Sequence, residues 1–375
     1  MTTTSVVPAT TAPLFTPFTL GSVQLSNRFV MAPMTRKFSP NGVPGPDVAA
    51  YYARRAQQGV GLIITEGTTI GHVGASNHPD VPNLHQQEAL SGWERVVREV
   101  HEAGGKIFSQ LWHVGLDPLS GDLLHPGTPL VGPSGVIMPE YPPLKDPMTE
   151  SEIADVIAAY AQAASNARTL GFDGIELHAG HGYLIDQFFW EGTNRRTDRY
   201  GGDIAGRTRF AVEVIEACRA AVGPNFPIVL RFSQWKTADF TVRLAAGPEQ
   251  LEQFLTPMTA AGIDAYHCST RRYWQPEFEG SELGLAGWTR KISGKPVIMV
   301  GSVGLDDDYV TMFAQGTGAG TEGIGGVVDR LQRNEFDLVA VGRALLGDPA
   351  WVAKLREGRV DEFQPFDISA LGSLA

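Results

Sequence analysis

Two imidazoles and a phenol fall within six consecutive positions, His178-Ala179-Gly180-His181-Gly182-Tyr183. Imidazole N–H groups can hold and polarise a carbonyl oxygen, and a tyrosine hydroxyl can deliver a proton. The glycines between them let the backbone turn tightly. One histidine alone would read as a packed, hydrogen-bonded core residue, with Tyr183 as filler. Two histidines and a tyrosine in one run favour chemistry. His-x-x-His is also a metal-ligand spacing. Metal-dependent barrel hydrolases, however, spread their ligands over several strand ends. Here the first strand ends in Pro33-Met34-Thr35, which offers neither histidine nor carboxylate, so no metal is expected.

Arg231 closes an apolar run, Leu230-Arg231-Phe232-Ser233. An arginine there is costly unless an anion or a carbonyl-rich group pairs with it. A structural ion pair with Glu176 or Glu66 is the plain alternative. Val300-Gly301-Ser302 and Val341-Gly342-Arg343 bare backbone N–H groups beside a forked donor, which suits phosphate.

These residues need elements that bring them together. Eight short apolar segments read as strands: Phe29–Met34, Gly61–Glu66, Lys106–Trp112, Phe172–His178, Pro227–Phe232, Ile263–Cys268, Pro296–Val300 and Phe336–Val341. A helical segment follows each, which points to an α/β chain folded as a (β/α)8 TIM barrel. Active sites of such barrels sit at the C-terminal strand ends. Those ends carry Thr35, Glu66, Gln110, His178, Arg231, His267, Ser302 and Arg343. Pro33 lacks a backbone donor and marks where the first strand stops pairing.

Leu14 to Asn27 reads as an N-terminal β-hairpin able to plug the barrel. Thr149-Glu150-Ser151-Glu152 is a capping box, Asp203 can cap a later helix, and Asp47 and Gly59 bracket the first one. Residues 1–13 read as a flexible tail, and 14–375 as one domain. Long irregular stretches at His113 to Pro147 and Arg271 to Glu279 suit pocket walls. Trp274 in the second is placed at the substrate or in a packed surface loop. Gly318-Ala319-Gly320-Thr321-Glu322-Gly323 matches G-x-G-x-x-G. It follows Tyr309–Gln315, which reads as helix, so a dinucleotide fold is not expected and a mobile glycine-rich loop is.

The chain has 375 residues, 43% of them apolar, and a net charge of −11. That balance disfavours a dedicated nucleic-acid binder. No apolar run is long enough for a membrane helix. Two cysteines, Cys218 and Cys268, cannot build a disulfide framework, so a reducing cytoplasm is the expected home.

Together these segments resemble the Old Yellow Enzyme family of flavin-dependent ene-reductases. The resemblance runs from Leu14 to about Arg359. It rests on Asn27-Arg28-Phe29 through Ala32-Pro33-Met34-Thr35, Thr65-Glu66-Gly67 and Gln110-Leu111-Trp112-His113. It rests also on His178 through Tyr183, Asn194 through Gly202, Leu230 through Ser233, and Val341 through Ala344. The resemblance implies non-covalent FMN, with NAD(P)H as co-substrate and an electron-poor alkene as partner. By that likeness Pro33, Met34, Thr35, Gly67 and Gln110 would contact the flavin ring, and Arg231 its N1–C2 carbonyl edge. Gly301, Ser302, Gly342 and Arg343 would hold the phosphate. His178 and His181 would grip the substrate carbonyl, and Tyr183 would protonate the carbon alpha to it. Thr35 and His181 mark a Thr-type, His/His variant. Leu116 stands where many relatives carry arginine. The same barrel could instead serve a flavin amine dehydrogenase or demethylase, or a flavin-binding protein without turnover. A monomer or homodimer is expected.

Overall fold

The computed structural model describes residues 8, 10–117, 130–308, 310–311 and 315–375. Most of the expected tail lies outside these, as do 118–129 of the loop after the third barrel strand. Tyr309 and 312–314 of the helix read over Tyr309–Gln315 also lie outside them.

A hairpin of β1 (Phe18–Leu20) and β2 (Val23–Leu25) opens the fold, turning through Gly21 at φ +58°. Eight parallel strands follow: β3 (Phe29–Met31), β4 (Leu62–Thr69), β5 (Lys106–Trp112), β6 (Gly174–His178), β7 (Ile228–Ser233), β8 (Ala265–Ser269), β9 (Val297–Val300) and β10 (Leu338–Val341). They pair in sequence order, and β10 pairs with β3 to close the barrel. Side chains alternate across each strand. Val30, Leu62, Ile64, Phe108, Val229, Ala265, Ile298, Leu338 and Ala340 point inward and pack as one cluster. Leu20, Val23 and Leu25 of the hairpin join that cluster, so the hairpin plugs the barrel. Burying each valine, leucine, isoleucine or phenylalanine of the cluster contributes about 1.5–3 kcal/mol. The alternate residues, among them Phe29, Ile63, Ile107, Ile175, Leu230 and Tyr266, pack outward among the helices.

The helices are α1 (Pro46–Gln57), α2 (Gln87–Glu102), α3 (Glu150–Thr169), α4 (Leu184–Phe189), α5 (Ile204–Val222), α6 (Pro248–Ala260) and α7 (Leu285–Ser293), with shorter ones over Gly325–Gln332, Arg343–Gly347 and Trp351–Arg356. Thr149 and Glu152 form the capping box of α3, and Asp203 caps α5 through the Gly206 N–H.

Several boundaries differ from expectation. Leu14 lies in a 3-10 turn, Ala12–Phe15, ahead of the hairpin. Helix α1 is capped by Gly45, with Asp47 inside its first turn. Strand β3 stops at Met31; the Ala32 N–H still bonds Val341, and Pro33 then has none to give. Strand β4 runs three residues past Glu66. A bulge between Ile64 and Gly67 lets Gly67–Thr69 pair with Gln110–Trp112. The glycine-rich Gly318–Gly323 stretch is tied down on both sides. Ala319 exchanges two backbone hydrogen bonds with Phe366, Asp306 donates to Gly320, and Glu322 donates to Gly304.

Candidate active site

A cavity of about 590 Å³ opens at the C-terminal ends of the strands. Of the residues singled out from sequence, it gathers Pro33, Met34, Thr35, Gln110, His178, His181, Tyr183, Arg231, Gly301, Ser302, Gly342 and Arg343. They come from both sides of the β10–β3 closure, which only a complete barrel brings together.

His178 ends β6, and the chain then turns so that His181 returns beside it. The ring centroids are 4.9 Å apart, and His181 Nδ1 lies 3.2 Å from His178 Nε2. The turn demands left-handed backbone at His181 (φ +65°) and Gly182 (φ +88°). Such a conformation is uncommon outside glycine and persists only when its surroundings impose it. The loop after β7 does so. Ser233 Oγ accepts the His181 N–H, while the Thr237 N–H and hydroxyl both donate to the His181 carbonyl. The Gly182 N–H donates to Asp186, whose other oxygen meets Lys236 Nζ in a fully buried ion pair.

Tyr183 caps α4 and turns its ring edge-on to Trp112 (4.9 Å) and His178 (5.0 Å). Trp235 packs 4.6 Å from His181, backed by Phe240. Burial holds both histidines well below the usual imidazole pKa, and the Arg231 charge adds to this, so both are neutral near pH 7. Neutral imidazoles donate hydrogen bonds without bringing a charge to the cavity.

Arg231 makes no hydrogen bond to Glu176 or Glu66. Both oxygens of Glu176 are taken, by Gln110 Nε2 (2.8 Å) and His267 Nδ1 (2.6 Å). Glu66 accepts the backbone N–H groups of Arg36 and Lys37. Among the described residues Arg231 reaches only Ser269 Oγ, at 3.3 Å, and its Nε and Nη1 are buried with no partner there. Glu66 and His267, named from the strand-end pattern, therefore lie beneath the cavity as supports. Gly67 is not at its surface either; a Cβ there would sit 2.6 Å from the Trp112 ring.

Just past the ends of β9 and β10, Arg343 donates to Ser302 Oγ and the Asp307 carbonyl. A Cβ on Gly301 would come within 2.4 Å of Thr270 Oγ1, so only glycine fits. Trp274 lies outside the cavity. Its side chain is 40% exposed, and its carbonyl holds Arg330. Arg271 of the same loop does line it. Leu116 is buried, its N–H on Gln187. Trp112, Trp235, Ser269, Phe366 and Leu371 are lining residues the sequence did not single out for a role. Ser269 lay one position past the strand end read from sequence. Phe366 and Leu371 arrive from the far end of the chain.

These residues fit FMN. A buried guanidinium with two unanswered donors suits the carbonyl edge of a flavin, and an arginine beside a glycine-serine turn suits its phosphate. Residues 13–319 match the NADH:flavin oxidoreductase / NADH oxidase family. 12-oxophytodienoate reductase 7 of Oryza sativa subsp. japonica is 35% identical over 92% of this chain and 88% of its own. The structure of morphinone reductase in complex with tetrahydroNAD superposes with a TM-score of 0.78 at 30% identity, covering 96% of this chain and 93% of that one. The Old Yellow Enzyme homologue of Zymomonas mobilis gives 0.76 at 27% identity, with 96% of each chain covered. The chain thus belongs to the NADH:flavin oxidoreductase / NADH oxidase family, the Old Yellow Enzymes, and is an NAD(P)H-dependent flavin oxidoreductase whose cofactor is FMN.

Proposed function

We propose that the protein reduces electron-poor C=C bonds, such as those of enones and enals, at the expense of NAD(P)H. The observation that carries this reading is the convergence of two neutral histidines and Tyr183 in the cavity that also holds Arg231. FMN, when bound, would supply the hydride chemistry that links NAD(P)H to the beta carbon of the alkene. His178 and His181 hold the substrate's carbonyl oxygen and stabilise the charge that gathers there. Tyr183 delivers a proton to the alpha carbon. Trp112 and Trp235 wall the substrate side and exclude water. Pro33, Met34, Thr35 and Gln110 bind the flavin ring, and Gly301, Ser302, Gly342 and Arg343 bind its phosphate. The similarity to reductases of 12-oxophytodienoate and morphinone supports the reading.

Phenols imitate the enolate that the two histidines would hold. They should bind the FMN-loaded protein and give a long-wavelength charge-transfer band. His178→Ala or His181→Ala should weaken that binding while FMN stays in place. If both variants bind phenol as the wild type does, the histidine assignment is wrong.

A further inference from the structure

An oxygen that accepts from both rings needs a proton on each of the nitrogens that meet, His178 Nε2 and His181 Nδ1. A neutral imidazole carries one N–H, so His181 must then be bare at Nε2. Bare imidazole nitrogen buried away from water is costly unless a donor faces it. Ser269 Oγ, at the end of β8, lies 2.8 Å from His181 Nε2. The same oxygen accepts Arg231 Nη2. A guanidinium only donates, so the Ser269 proton cannot go that way. Among the described residues these are the two hydrogen-bond partners of the hydroxyl, and of the two only His181 Nε2 can receive its proton.

We infer that Ser269 is a positioning residue: its hydroxyl donates to His181 Nε2 and fixes His181 as the Nδ1–H tautomer, so that both histidines donate to one substrate oxygen. The inference rests on the proposed ene-reductase reading and adds a residue to it. It gives Arg231 a second role, since the guanidinium turns the serine proton towards the histidine. It also gives a chemical reason for the strained turn at His181. Ser233, Thr237 and the Asp186–Lys236 pair fix the backbone, and Ser269 fixes the ring and its proton.

The test uses FMN-loaded protein with para-chlorophenol as the probe. In the wild-type complex, ¹⁵N spectra of labelled histidine should show His181 protonated at Nδ1 and bare at Nε2. Ser269→Ala should retain stoichiometric FMN yet bind the phenol about tenfold more weakly, the scale of one lost hydrogen bond. Ser269→Thr keeps the hydroxyl and should restore both affinity and tautomer. Merely lost packing would weaken binding without moving the ¹⁵N signature. The inference is overturned if His181 carries its proton on Nε2 in the wild-type complex, or if Ser269→Ala binds phenol as the wild type does. It is overturned equally if the alanine and threonine variants behave alike. Wild-type protein that holds FMN but binds no phenol would sink the ene-reductase reading itself, and this inference with it.

Discussion

Arg231 is the proposed partner of the flavin's carbonyl edge. It is buried, its pKa is lowered by that burial, and two of its nitrogens have no partner among the described residues. Arg231→Met keeps the apolar stem and removes the donors. FMN affinity of the apoprotein, measured by flavin fluorescence, should fall by about 10- to 150-fold, the equivalent of roughly 1.5–3 kcal/mol for charge-assisted contacts. Unchanged affinity would remove Arg231 from the flavin site. Arg231 was legible in the sequence because a charge in an apolar strand needs an explanation. His178, His181 and Tyr183 were legible because their types crowd one short run. Ser269 and Trp235 were not, since a serine at a strand end and a tryptophan in a loop have many ordinary uses. Trp274 reads as either a pocket wall or part of a packed surface loop for the same reason. Aromatic content marks a wall without saying which cavity it faces, and this ring packs against Tyr273 and does not line the cavity.

At the scale of elements, strand identity followed from apolar runs, but strand length depended on pairing. The bulge in β4 shifts its pairing with β5, and in the sequence Gly67 alone hints at it. It also orients Glu66, which binds the N–H groups of Arg36 and Lys37 and so ties the segment after Thr35 to the barrel. Burial pushes the Glu66 pKa up to about 7. A carboxyl raised in the folded state favours folding in its protonated form. Its ionisation therefore costs stability progressively as pH rises from about 4.5, where the unfolded chain loses the proton, to about 7. Glu66→Gln can accept the same two N–H groups without titrating. The melting temperature of the variant relative to wild type should climb between pH 5 and 8, by an amount on the order of 3 kcal/mol in stability. A difference that stays flat across that range would show that Glu66 is not held protonated by its surroundings.

For the whole molecule, eight strand–helix repeats made the barrel readable, and the barrel rule located the site at one end. Closure was the part no single segment announces. It sets Gly342 beside Met34, while Phe366 and Leu371 reach the cavity from the end of the chain. It also lets the hairpin residues Leu20, Val23 and Leu25 complete the interior. The architecture thus gathers, in one chamber, groups suited to holding FMN and groups suited to holding and protonating a substrate. The claim that joins these halves is that Tyr183 supplies the alpha-carbon proton. Anaerobic stopped-flow spectroscopy on wild type and Tyr183→Phe separates the two halves directly. Reduction of the bound FMN by NAD(P)H should stay near wild type, because no carbon is protonated in it. Reoxidation by cyclohexenone should slow by about 10²–10⁴-fold, the usual worth of a placed general acid. Reoxidation by a quinone, which needs no proton on carbon, should be nearly unaffected. The account is contradicted if cyclohexenone reoxidises the variant at the wild-type rate, or if the quinone and enone rates fall together.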